Sequence, residues 1–231
     1  MPKEYYKDKY FSVLGDSIST LWGYTEPQDA TFYDLYKRHE LGILTPSDTW
    51  WGRVIELLGA QLLVNNSISG STVVKISPDA AGLYGCSDER TASLSRDGIN
   101  PDGIMVFLGI NDWGYGVPMR QDYESEAGAK SIFAPAYEIM IKKLKENYPV
   151  AEIWCFTLPT SVWRANEQFR FPLRRYGKHI NDFCEVIREI ALKYSCRVID
   201  LYQGEPHDTI DGYHPNREGM ITLADYVISI L

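Results

Sequence analysis

The chain has 231 residues, with 31 acidic against 23 basic side chains and a formal net charge of −8. Its 45% hydrophobic and 23% charged content is that of an ordinary globular domain and excludes a disordered tail, a collagen-like fibre and a small disulfide scaffold. The acidic balance argues against general nucleic-acid binding, which needs clustered Lys and Arg, and disfavours anionic surfaces and strongly negative substrates.

The first nine residues are polar and lack the apolar segment of a signal peptide. No run in the chain approaches the ~20 apolar residues of a membrane span. A cytoplasmic protein with no membrane insertion is therefore expected. Five short, nearly continuous apolar runs read as strands, at residues 10–14, 61–64, 103–108, 152–158 and 197–201. Continuous runs fit parallel strands covered on both faces. Between and after them, helical stripes predict helices over 50–58, 132–147, 177–194 and about 217–230. This alternation predicts a three-layer α/β/α sandwich with right-handed crossovers, in one domain spanning residues 1–231. A chain of this length buries roughly 70–75% of its unfolded surface, so the core needs no staple. Cys86, Cys155, Cys184 and Cys196 form no C-x-x-C pair and read as buried thiols. The cluster Arg170-Phe171-Pro172-Leu173-Arg174-Arg175 reads as a solvated face.

Two segments, 22–49 and 74–100, are too long for simple connections. Both follow strands, so both should lie at the carboxyl edge of the sheet, where open α/β folds bind ligands. The first is rich in aromatic residues (Trp22, Tyr24, Phe32, Tyr33, Tyr36), which either line a substrate site or pack the loop onto the sheet.

Chemistry-bearing residues follow the strands. After the first comes Gly15-Asp16-Ser17-Ile18, where Ser17 is either an exposed nucleophile on a tight turn or a helix cap. After the second comes Asn66-Ser67-Ile68-Ser69-Gly70, where Gly70 either lets backbone approach a substrate oxygen or serves a turn. After the third comes Gly109-Ile110-Asn111-Asp112, where the Asn111 amide can point towards Ser17 or close an Asx turn. Before the last helix stands Asp211-Gly212-Tyr213-His214-Pro215, with a carboxylate and an imidazole three positions apart. His207, Asp208, Asp211 and His214 can also be read as metal ligands, but their spacing matches no ordinary helical zinc pattern. His39 and His179 read as structural or solvated. Each cluster alone has a bland reading. Together they supply a nucleophile, a base, an orienting acid and three oxyanion donors at one sheet edge, the parts needed for acyl transfer through a serine.

These four ordered blocks, spanning Gly15 to Pro215, resemble those of the SGNH hydrolase superfamily, the GDSL esterases and lipases. Ile18 stands where that family usually has Leu. The resemblance implies a flavodoxin-like fold with a five-stranded parallel sheet. It implies Ser17 as nucleophile, His214 as general base, Asp211 as its orienter, and the Ser17 and Gly70 backbone N–H groups with the Asn111 side chain as oxyanion hole. No metal or organic cofactor is implied. The expected activity is hydrolysis of a carboxylic ester, foremost a short acyl or acetyl ester, of a small-molecule, glycan or lipid substrate. Lysophospholipase, thioesterase and acyltransferase activities use the same triad. A non-catalytic binding module on this fold should have lost one of Ser17, Asn111, Asp211 or His214, and none is missing. Tyr213, beside the triad, is expected to narrow the acyl pocket.

Overall fold

The computed structural model describes residues 3–25, 28–77 and 83–231. The remaining parts of the two long loops and the first two residues lie outside the described residues. Five strands, β1 (Tyr10–Gly15), β2 (Gln61–Ser67), β3 (Gly103–Phe107), β4 (Glu152–Phe156) and β5 (Arg197–Ile199), form one parallel sheet in the order β2-β1-β3-β4-β5. Helices α1 (Trp50–Leu57), α2 (Phe133–Asn147), α3 (Ile180–Lys193) and α4 (Arg217–Ser229) cover it. The three-layer flavodoxin-like architecture expected from the sequence is the one observed.

The layers follow from the alternation of side chains along each strand. Ile104, Val106, Ile153 and Cys155 point to one face, against Tyr137, Met140 and Ile141 of α2 and Phe183 and Ile187 of α3. Met105, Phe107, Trp154 and Phe156 point to the other, against Trp50, Trp51 and Val54 of α1 and Leu223 and Val227 of α4. All four cysteines are free and buried. Among the described residues no helix is long and apolar enough to cross a membrane.

Several boundaries differ from the sequence expectation, each for a local reason. β2 runs on to Ser67, three residues past the expected end, because it is an edge strand whose burial alternates and whose Asn65 and Ser67 are buried. β4 and β5 end two residues early, and Leu201–Gln203 coils into a 3-10 turn. α3 starts at Ile180 rather than 177, because Arg174–Arg175 pairs with Lys178–His179 in a small antiparallel hairpin. His179 then caps the helix, its Nδ1 accepting from Asn181 N at 3.1 Å, so this histidine is structural as expected. Both long loops contain short helices, Leu35–Glu40 and Asp88–Ala92.

The strand order places β1 between β2 and β3, so the segments leaving all three strands emerge side by side. The chain reverses its winding direction here, and a crevice opens outside the carboxyl ends.

Candidate active site

Ser17 leaves β1 in a one-turn 3-10 helix, Ser17–Ser19. Asp16 caps that turn, its Oδ1 accepting from Ile18 N at 3.0 Å. The turn is anchored from behind by bonds to Ser19: Trp51 Nε1 and Asn65 Nδ2 each donate to its carbonyl at 2.9 Å. Thr20 Oγ1 donates to Ser17 O at 2.9 Å. Gly15 is required by space, since a Cβ there would lie 2.7 Å from Ser19 Cβ and 2.8 Å from Ser67 Oγ.

The Ser17 hydroxyl donates to His214 Nε2 at 2.9 Å. His214 Nδ1 donates to Asp211 Oδ2 at 2.7 Å. The other Asp211 oxygen accepts from His214 N at 2.8 Å and Tyr213 N at 3.0 Å. Partial burial opposes ionisation of Asp211. The bonds from His214 and the two backbone N–H groups outweigh it and hold the carboxyl down at about 2. The three side chains thus form one hydrogen-bonded chain, with the imidazole oriented so that Nε2 is free to accept.

Two residues of the aromatic loop hold this arrangement. Phe32 stacks on the His214 ring with centroids 3.5 Å apart and planes 9° apart, and Tyr33 donates its hydroxyl to Pro215 O at 2.7 Å. These two aromatics therefore pack against the histidine loop, whereas Tyr36 is 84% exposed.

Ser17, Asn111, Tyr213 and His214 line one cleft of about 200 Å³, with Ile18, Ile110, Trp113 and Tyr115. Asn111 opens the short helix Ile110–Tyr115 after β3, and its Nδ2 donates to Ser71 O at 2.9 Å, which fixes the amide and leaves a second N–H. Gly70, with a left-handed φ of 75° that favours glycine, lines the neighbouring groove rather than this cleft. The position a Cβ would take there lies 4.0 Å from the Tyr115 hydroxyl. The backbone N–H groups of Ser17 and Gly70 make no hydrogen bond among the described residues.

The metal-ligand alternative finds no support in the geometry. Among the described residues no three or more His, Cys, Asp and Glu side chains gather as a metal site would need. The two Asp208 oxygens accept from Arg164 N, Thr209 N and Asn216 Nδ2 instead. His207 is buried, with Nδ1 3.0 Å from Thr160 O. Burial pushes it down to about 4, against the opposing pull of the Tyr213 and Thr160 carbonyls and Asp208. Its folded value lies below the ordinary 6.5, so the stability it contributes is full above pH 6.5 and lost as pH falls through 4. Urea unfolding is expected to show a loss approaching about 3 kcal/mol from this group over that window. His207→Gln should remove that part of the slope.

Arg90 was not singled out in the sequence. It sits on the helix Asp88–Ala92 and is 2% exposed. Its guanidinium donates to Gly15 O at 2.9 Å, Asn66 O at 2.8 Å, Ser71 Oγ at 2.6 Å and Leu83 O at 3.0 Å. Burial pushes it down to about 9, opposed by the nearby Asp16 carboxyl. The side chain ties the ends of β1 and β2 together behind Ser17 and the Gly70 turn. Arg90→Met leaves those buried acceptors orphaned. Chemical denaturation is expected to record a loss of at least about 3 kcal/mol, with kcat falling more than KM rises. Only a lone Arg between a Glu and a Thr marks it in the sequence, which carries no signal for such a role.

With this geometry in view, comparisons with known proteins agree. A family model of GDSL-like lipases and acylhydrolases matches residues 9–168, more than half of the chain. No curated protein matches the sequence. Among solved structures, a protein described as a GDSL-like lipase from Bacteroides ovatus superposes with a TM-score of 0.74 at 25% identity, covering 97% of this chain and 98% of its own. A second protein so described, from Bacteroides uniformis, gives 0.71 at 28% identity over 97% and 95%. A carbohydrate acetylesterase from Sinorhizobium meliloti shares the fold, with a TM-score of 0.63 at 16% identity over 97% and 100%. The chain belongs to the GDSL-like lipase and acylhydrolase family of SGNH hydrolases.

Proposed function

We propose that this protein is a serine esterase that cleaves a short-chain carboxylic ester, foremost an acetyl ester, through an acyl-enzyme on Ser17. The observation that carries this reading is the unbroken chain from Ser17 Oγ to His214 Nε2 and from His214 Nδ1 to Asp211, at 2.9 and 2.7 Å. His214 takes the Ser17 proton as the hydroxyl attacks the ester carbonyl. The developing oxyanion is held by the Ser17 N–H and the second Asn111 N–H, and the family resemblance adds the Gly70 N–H from the neighbouring groove. His214 then protonates the departing alcohol. In the second half, water attacks the acyl-enzyme with His214 again as base, and the acid leaves. Asp211 stays ionised throughout and keeps the proton on Nδ1.

The preference for a short acyl group rests on size. A cleft of about 200 Å³ is smaller than the roughly 300–1,000 Å³ sites that enclose drug-sized ligands. Trp113 and Tyr213 are among its bulky walls. The test is kcat/KM on p-nitrophenyl esters from acetate to long acyl chains, with mass spectrometry after treatment with a fluorophosphonate. Activity highest on acetate and an adduct on Ser17 are expected. A preference for long chains, or labelling elsewhere, would reject the reading.

A further inference from the structure

Arg175 belongs to the basic cluster that reads as a solvated face, yet in the fold it turns into the cleft. Apart from His214 it is the only Arg, Lys, His, Asp or Glu side chain, among the described residues, that lines the space in front of Ser17. Its guanidinium carbon lies 5.4 Å from the centre of the Trp113 ring and 5.0 Å from that of Tyr213, so two aromatic faces hold it. It donates one hydrogen bond, to the Tyr213 hydroxyl. A guanidinium carries five N–H donors, so most of its fork is left for something else.

Among half-buried arginines, Arg188 pairs with Asp200 at 2.8 Å and Arg197 with Glu152 at 2.7 Å, while Arg38 donates to the Trp22 and Leu44 carbonyls. Arg175 has no carboxylate partner among the described residues. It is also fixed in place. The hairpin that carries it is tied to the helix of Asn111 by Lys178 Nζ donating to Gly116 O at 3.0 Å and Trp113 Nε1 donating to Lys178 O at 3.3 Å. The cation therefore stands at a set position relative to the oxyanion donor.

We propose that Arg175 is a specificity-determining residue and that the substrate is an ester bearing a carboxylate, which the Arg175 fork receives between Trp113 and Tyr213. This rests on the esterase reading and names its substrate class. The net charge of −8 disfavours negative substrates at long range. That field is screened over about 8–10 Å in ordinary buffer, whereas a contact inside the half-buried cleft is screened less. A planar fork held by two rings matches a carboxylate in two parallel bonds.

The experiment compares kcat/KM within two matched pairs of esters. One pair, p-acetoxybenzoate and its methyl ester, places the charge on the alcohol side. The other, p-nitrophenyl hydrogen glutarate and p-nitrophenyl pentanoate, places it on the acyl side. In one pair the acid is expected to be preferred by at least about tenfold at low salt. That preference should fall towards unity in Arg175→Gln, return in part in Arg175→Lys, and shrink between about 0.05 and 0.5 M salt. Ratios near unity in both pairs, with the neutral esters turned over, overturn the proposal and leave the esterase reading intact. So does a preference that survives in Arg175→Gln. If both variants fail to fold, a wild-type preference shared by the neutral carboxamide of the same ester overturns it. Failure to turn over any of the four esters overturns the esterase reading, and this proposal with it.

Discussion

A Ser17→Ala variant is expected to lose at least about 10⁴-fold in kcat/KM on its best ester while unfolding at the temperature of the wild type. The two halves of this expectation come from different atoms. The hydroxyl that is removed is bonded to His214 Nε2. The backbone around it is held by groups the substitution leaves untouched: the Asp16 cap on Ile18 N, the Thr20 hydroxyl on Ser17 O, and the Trp51 and Asn65 side chains on Ser19 O. Alanine fits a residue that is 5% exposed without adding volume. The turn should persist, with the N–H of residue 17 still free of a hydrogen bond among the described residues. What remains is substrate binding and an oxyanion site with no nucleophile, so the residual rate should be insensitive to fluorophosphonate. Steady-state kinetics beside a thermal melt decide the matter. A variant within tenfold of wild type would remove Ser17 from the chemistry.

The fold was legible because both faces of the sheet are covered. A strand buried on two sides reads as a nearly continuous apolar run, and β1, β3 and β4 do so, with Ser12 the one polar residue inside β1. β2 was cut short in the reading for the same reason, because an edge strand alternates and ends in Asn and Ser. The candidate site residues stand out for a topological reason: three of the four chemical blocks follow strand ends, which parallel strands bring to one side, and the fourth precedes α4. The second layer of the site does not. Arg90, Phe32 and Tyr33 act through contacts with residues 75, 182 and 182 positions away, and no local pattern encodes such distances. Arg175 was read as part of a solvated face for the same reason. In sequence it stands in a run with Arg170 and Arg174, while its neighbours in space are Trp113 and Tyr213.

Asp211→Asn is expected to lower kcat by about 10⁴-fold with little change in KM. An amide can still accept from Tyr213 N and His214 N through its oxygen, so the turn that carries the histidine is retained. Its NH₂ then faces His214 Nδ1 where a carboxylate oxygen stood at 2.7 Å. Two donors cannot share that bond, so the imidazole is driven to the tautomer with its proton on Nε2, the atom that must receive the Ser17 proton. The stability cost should be small by comparison. The Asp211 carboxyl is held at about 2, below its ordinary 3.8, so its contribution is present above about pH 4 and lost as the pH falls towards 2. Its side chain is 41% exposed, and solvent screening reduces that contribution to about 1 kcal/mol. Denaturation at pH 7 should thus show a modest loss while turnover nearly vanishes, and Phe32, still stacked on the ring, should keep the imidazole in place. If instead stability and turnover fell together, Asp211 would be a loop anchor and the tautomer argument would fail. A variant that kept its fold and lost only kcat would assign to this carboxylate the control of one proton, at Nδ1 of His214.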